Sequence, residues 1–161
     1  MLSLIIPTYN RPHFLERLLR YFQEETFPYE IVVADSSLAP ASETNLKIVS
    51  QSQQYLKVQY ERYSSQLDPV RKIANTCENL VSKYAVICAD DDFIIPQAIE
   101  RCVEFLESNP DYSIAHGHAV RTELDADKKT GSQSSFRLHT YPQCYISHDD
   151  PGVRLQRHLA D

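Results

Sequence analysis

"YAVICADDDFIIP", residues 84–96, decides how this chain folds and where it works. The run from Ala85 to Ala89 is small, apolar and partly β-branched, the composition of a short strand buried on both faces. It ends on three consecutive carboxylates, Asp90, Asp91 and Asp92. Adjacent negative charges repel, and each makes the next harder to ionise. Capping of the helix that opens near Pro96 is the structural alternative, and it accounts well for one of these carboxylates and poorly for three, so the cluster points to a function.

The flanking sequence alternates between strand and helix. "LSLIIPTY" (2–9) reads as a strand. Asn10 is placed to cap the next helix, with Pro12 in its first turn. Phe14, Leu15, Leu18, Leu19 and Phe22 then recur at helical spacing. "YEIVVADSS" (29–37) is a second buried strand, and "ASETNLKIVSQSQQ" a weaker helix with Leu46 and Val49 on one face. "LKVQYERY" (56–63) alternates like a strand. Residues 68–82 form a helix with Val70, Ile73, Cys77, Leu80 and Val81 facing inward. The acidic strand follows, then a helix over 96–111 that opens at Pro96 and stops at Pro110. "YSIAHGHAVRTE" (112–123) reads as a further strand. Within it His116 and His118 are expected to belong to a half-buried strand rather than a metal site.

Strands separated by helices mean βαβ units and a mainly parallel sheet with right-handed crossovers, an α/β architecture. After residue 124 the pattern changes. "DADKKTGSQ" (125–133) is a turn, "SSFRLHTYPQCYI" the second arm of a hairpin, and "HDDPGVRLQRHLAD" opens a helix capped by Asp149 or Asp150. One domain over residues 1–161 is expected, cut short at its C-terminal end.

Bulk properties exclude several classes. A formal net charge of −6 with scattered basic residues argues against a nucleic-acid partner. The apolar start is too short for a signal-peptide core and is followed at once by Pro7 and Thr8. No transmembrane segment is visible, and the expected location is cytoplasmic, peripheral at the inner face of the membrane. The 4 cysteines contain no CxxC pair, so they read as reduced core residues rather than zinc ligands. With only 3 glycines and no GxGxxG or GxxxxGK[ST], dinucleotide and P-loop fingerprints are absent.

In an open parallel sheet, ligands bind beyond the carboxyl ends of the strands. Three expected strands end in polar residues: Thr8-Tyr9-Asn10, Asp35-Ser36-Ser37 and Asp90-Asp91-Asp92. Unpaired, four carboxylates on one edge would strain the fold. A divalent cation removes that strain, and Mg²⁺ or Mn²⁺ takes one or two carboxylates plus substrate phosphates.

"SLIIPTYNRPHFLERLLRYF", "IVVADSS" and "ICADDDFIIP", in this order and spacing, closely resemble the nucleotide-sugar half of family 2 glycosyltransferases, with residues 2–124 covered. The resemblance implies a GT-A (Rossmann-like) α/β/α sandwich with a DXD-type metal motif. It implies that Pro7, Thr8, Tyr9 and Asn10 line the base and ribose pocket and that Asp35 bonds the base. Counting back from Pro96, it makes Asp91 the principal metal ligand, with Asp92 beside it, and Asp90 the ribose or second-sphere partner. This chain has Ala89 where the commoner family form has Asp. A basic residue on the preceding helix meets the diphosphate in such enzymes, and Arg71 and Lys72 are both candidates.

The implied reaction moves a sugar from a nucleoside diphosphate donor, a UDP-sugar by default, to a hydroxyl acceptor, with Mn²⁺ or Mg²⁺ as cofactor and inversion of the anomeric centre. The acceptor class (glycan, lipid-linked or protein) stays open, within polysaccharide biosynthesis. The general base of the family lies well downstream of the DXD motif, and is expected beyond Asp161. Two alternatives compete. One is a non-catalytic nucleotide-binding module or inactive fragment. The other is a haloacid-dehalogenase-type phosphatase, whose D-x-D motif normally follows the first strand rather than the fourth.

Overall fold

The computed structural model describes residues 1–124, 134–139 and 148–160. Its elements run β1 (Leu2–Thr8), α1 (Pro12–Glu24), β2 (Glu30–Asp35), α2 (Ala41–Ser52), β3 (Val58–Arg62), α3 (Pro69–Glu78), β4 (Tyr84–Ile87), α4 (Pro96–Ser108), β5 (Ala119–Leu124), β6 (Ser134–His139) and α5 (Pro151–Ala160). The chain divides into two compact units, Met1–Ile99 and Glu100–Asp161.

The first unit is built on a four-stranded parallel sheet of order β3-β2-β1-β4. The chain lays β2 and β3 on one side of β1 and then crosses to place β4 on the other. That reversal is a topological switch point, and in open α/β sheets ligands bind at the carboxyl edge of such a point. The two inner strands are the apolar ones. β1 buries Leu4, Ile5 and Ile6 completely, and β2 buries Ile31, Val33 and Ala34. Helix α1 closes one face with Leu15, Leu18, Leu19 and Phe22, all at most 1 % exposed, the stripe that the helical spacing predicts.

Several elements bury other faces than the apolar pattern suggests. β4, paired among the described residues only with β1, alternates between half-buried and exposed residues and leaves Ile87 51 % exposed. It is not buried on both faces. On α2 the inward residues are Asn45 and Val49, while Leu46 points out. On α3 they are Lys72 and Thr76, and Val70, Cys77 and Val81 are exposed. Both helices cover the polar carboxyl edge of the sheet, so the buried position goes to a residue with a hydrogen-bond partner there. Cys88 is buried, and burial pushes its thiol up to about 12; Cys102 is half-buried, and Cys144 lies outside the described residues.

In the second unit, Asn109 Nδ2 donates to the Phe105 carbonyl at 2.8 Å and Tyr112 packs edge-on against Phe105 at 5.2 Å, which ends α4. The strand expected from residue 112 starts at Ala119, so His116 and His118 lie outside it and are exposed. β5 and β6 form an antiparallel hairpin with Ala119 opposite His139, as the pattern predicts; its turn, 125–133, lies outside the described residues. Asp150 begins α5, its Oδ1 accepting from the Gly152 amide at 2.7 Å.

Candidate active site at the carboxyl edge

Strand register brings the polar strand ends into line. Thr8 pairs with Asp35 on β2, and Asp35 with Arg62 on β3. On the other side, Ile5 pairs with Ile87, so three residues further on Thr8 reaches the level of Asp90. The Thr8 hydroxyl donates to Asp90 Oδ2 at 2.7 Å across the switch point. Lys72 rises from α3 beneath the same edge and donates from Nζ to the Thr8 carbonyl at 3.0 Å and to Ser36 Oγ at 2.9 Å. It is 3 % exposed, and burial lowers its pKa against the pull of Asp35 and Asp90. Arg71, one residue earlier, is exposed and away from the edge network. Of the two basic candidates, Lys72 alone joins the strand ends.

Asp35 is fully buried and hydrogen-bonded on both oxygens. Its Oδ1 accepts from the Ser37 amide at 2.6 Å, and its Oδ2 from Asn45 Nδ2 at 3.0 Å and the Tyr60 hydroxyl at 2.6 Å. Burial alone would raise its pKa; the bonds from Ser37, Tyr60 and Asn45 outweigh that and hold it below the ordinary value. Burial, and then the same contact with Asp35, pushes the Tyr60 phenol up. Asp35 does not stand open to solvent. It is the hub that ties β2, α2 and β3 together. Among the described residues, Asn45 Oδ1 is the buried side-chain polar atom left without a partner.

Asn10 does not cap α1. Arg11 holds that position without a side-chain cap bond, and Pro12 follows it in the first turn. Asn10 instead adopts a left-handed φ of 54°, a conformation Asn tolerates better than most residues. Its amide donates to Ser37 Oγ at 2.7 Å and its Oδ1 accepts from the Leu38 amide at 2.8 Å. The two loops after β1 and β2 are thereby tied together. Pro7 is half-buried in β1, and Tyr9 stands 46 % exposed at the rim.

This turn aims Arg11 at the acidic loop. Its guanidinium contacts Asp90 Oδ1 at 3.0 Å and Asp91 Oδ2 at 2.8 Å, and lies over the Phe14 ring at 4.3 Å. Arg17, one and a half turns along α1, donates to the Asp91 carbonyl at 3.1 Å between the rings of Phe14 and Phe93. Tyr21 donates to the Ile94 carbonyl at 3.2 Å. Arg11 just before α1, with Arg17 and Tyr21 on it, thus holds the Asp90–Ile94 loop. The expectation of unpaired carboxylates is corrected: Arg11 pairs two of them. No local pattern marks either arginine, since "NRP" reads only as a helix start.

The carboxylates differ in environment. Asp90 is 3 % exposed, and desolvation raises its pKa despite Thr8 and Arg11. Asp91 is 43 % exposed, and its bond to Arg11 lowers its pKa. Asp92 is exposed, its amide closing a turn on the Ala89 carbonyl at 3.1 Å. Among the described residues no group of three His, Cys, Asp or Glu forms a ready-made metal cage. Mg²⁺ and Mn²⁺ do not need one, since one or two carboxylates and substrate phosphates suffice. Asp91 and Asp92 fit that mode. A separate shallow depression of about 140 Å³ between α1 and α2, lined by Glu16, Arg20, Ile48 and Tyr55 with three others, includes none of the edge residues.

The sequence profile of glycosyl transferase family 2 matches residues 3–154, nearly the whole chain. The chain belongs to glycosyltransferase family 2. Chondroitin synthase of Pasteurella multocida (strain Pm70) is 34 % identical over 116 residues, covering 67 % of this chain and 11 % of that protein. This family 2 chain therefore spans about a ninth of that relative. Two crystal structures of S. aureus TarS share its fold. TarS 1–349 superposes with a TM-score of 0.57 at 20 % identity, covering 74 % of this chain and 34 % of that one. The other TarS structure gives 0.57 at 21 %, covering 66 % and 19 %. The GT-A-type parallel α/β sheet expected from the sequence is the observed one. Family 2 enzymes generally use a divalent metal. Among the described residues no helix is long and apolar enough to cross a membrane.

Proposed function

We propose that this family 2 chain binds a nucleoside diphosphate sugar at the carboxyl edge of its sheet and takes part in transferring the sugar to a hydroxyl acceptor. The observation that carries this reading is the convergence of Thr8, Lys72, Arg11, Asp90 and Asp91 on the switch point between β1 and β4. Acidic and basic groups meet there beside open solvent, as a diphosphate with a counter-ion requires.

The base and ribose lie against Pro7, Thr8, Tyr9 and Asn10, near the Asp35 hub, and the buried Asp90 sits on the ribose side. Asp91 and Asp92 would hold a divalent cation, Mn²⁺ or Mg²⁺. When bound, that cation neutralises charge on the departing diphosphate. Lys72 fixes the β1 and β2 ends from below and supplies positive charge under the diphosphate; Arg71 does not. Arg11 and Arg17 keep the acidic loop in place. The donor is a UDP-sugar and the transfer inverts the anomeric centre. The relative named chondroitin synthase favours a growing polysaccharide as acceptor. The setting in this reading is the cytoplasm, with the inner face of the membrane as the alternative. The phosphatase alternative has little support, because the acidic motif follows β4 within a family 2 match.

The test is release of UDP from a panel of UDP-sugars with Mn²⁺, with and without oligosaccharide acceptors. Acceptor-stimulated UDP release supports a transferase. Tight UDP binding without turnover supports the nucleotide-binding module, and phosphate release from phosphomonoesters would favour the phosphatase.

A further inference from the structure

The acidic loop already has a cation. Arg11 is locked toward it by the left-handed Asn10 turn, is stacked on Phe14, and reaches both Asp90 and Asp91. The two carboxylates are not equivalent partners. Asp90 is buried and also held by Thr8, whereas Asp91 is 43 % exposed and Arg11 itself 40 % exposed. A ligand arriving from solvent therefore meets the Arg11–Asp91 half of the clasp first. A cation seeking Asp91 must displace a guanidinium, and like charges at that spacing oppose it.

We propose that Arg11 is a built-in counter-ion for Asp91 that gives way when a nucleoside diphosphate arrives, so that diphosphate and divalent cation bind as a coupled pair and the cation alone binds weakly. The diphosphate offers the guanidinium a bidentate anionic partner in place of Asp91. Asp91 is then freed for the metal, while Asp90 keeps its Thr8 bond. Arg11 thus has two linked roles here, holding Asp91 before the ligand arrives and contacting the diphosphate afterwards. The inference rests on the donor-site reading above.

The experiment is calorimetric titration of Mn²⁺ into the protein with and without UDP, for wild type, Arg11→Gln and Arg11→Lys. An exposed ion pair of this kind corresponds to an affinity change of roughly two- to fivefold. Arg11→Gln is expected to bind Mn²⁺ alone tighter by about that factor, with the enhancement by UDP reduced to match. Arg11→Lys, which keeps the charge but loses the fork, falls between. In wild type labelled with ¹⁵N-arginine, the Arg11 side-chain signal should shift when UDP and Mg²⁺ are added, a readout independent of whether the variants fold. Unchanged or weaker Mn²⁺ binding by Arg11→Gln, or a static Arg11 signal during UDP binding, overturns the inference and leaves the donor site standing. Absence of any Mn²⁺-dependent UDP binding in wild type overturns both.

Discussion

Replacing Asp35 by Ala should cost the protein stability before it costs anything else. The side chain is fully buried and accepts three hydrogen bonds. Removing it leaves Asn45 Nδ2 with Ser37 Oγ at 3.2 Å and the Tyr60 hydroxyl with the Ser42 carbonyl at 3.3 Å as second partners. The Ser37 amide has no such fallback among its hydrogen bonds. One orphaned buried donor costs about 1–3 kcal/mol, and two weakened bonds to a charge add roughly 1 kcal/mol more after the relief of desolvating a carboxylate. The sum is about 3 kcal/mol, or a melting temperature lower by roughly 6–12 °C for a domain of this size. Differential scanning calorimetry with urea denaturation measures it. The pH dependence provides a second check. Because the folded pKa of Asp35 is lowered, its stabilisation is present above the unfolded value of about 4 and is lost as pH falls through the folded one. Asp35→Ala should therefore show a shallower loss of stability in acid. A melting temperature within about 2 °C of wild type, combined with weakened UDP binding, would refute the hub and favour a free base ligand.

Other substitutions separate neighbouring roles. Lys72→Met should lower stability by about 2 kcal/mol through the lost bonds to Thr8 and Ser36, and weaken UDP binding by about tenfold or more. Arg71→Ala should change stability by less than about 0.5 kcal/mol and leave binding intact, both read by thermal shift with and without UDP. Asp91→Asn should abolish Mn²⁺-dependent UDP binding at a stability cost of at most about 1 kcal/mol, since its ion pair with Arg11 is exposed; a normal ligand-induced shift contradicts its metal role. Tyr60 has a raised pKa, so the unfolded chain ionises first as pH passes about 10 and stability falls. Tyr60→Phe should flatten that alkaline decline at a cost of about 1 kcal/mol, measured by urea midpoints from neutral to alkaline pH.

The strand ends were legible because each carries its polar residues straight after an apolar run. Thr8, Asp35 and Asp90 could be placed on one edge without coordinates, since a parallel sheet puts all carboxyl ends together. What stayed hidden depends on tertiary register. Tyr60 reaches Asp35 because β3 pairs with β2 so that Arg62 lies opposite Asp35. No local pattern marks that. Apolar spacing pointed α3 inward through Val70 and Cys77. A helix above a polar edge buries whatever can bond there, and Lys72 and Thr76 do. The same logic put Asn45 rather than Leu46 inside α2. Arg11 is not legible in the sequence because a basic residue before Pro12 resembles any exposed helix start. Its role depends on the left-handed Asn10 turn.

The most direct test of the central claim is calorimetric titration of UDP into the wild-type protein, once with Mn²⁺ and once with chelator. A site of exposed Asp91 and Asp92 above the Lys72 bridge predicts that UDP binds with Mn²⁺ and at least about tenfold more weakly without it. Equal affinity in chelator, or no binding in either condition, would contradict the claim that the acidic carboxyl edge is a metal-assisted nucleotide-sugar site.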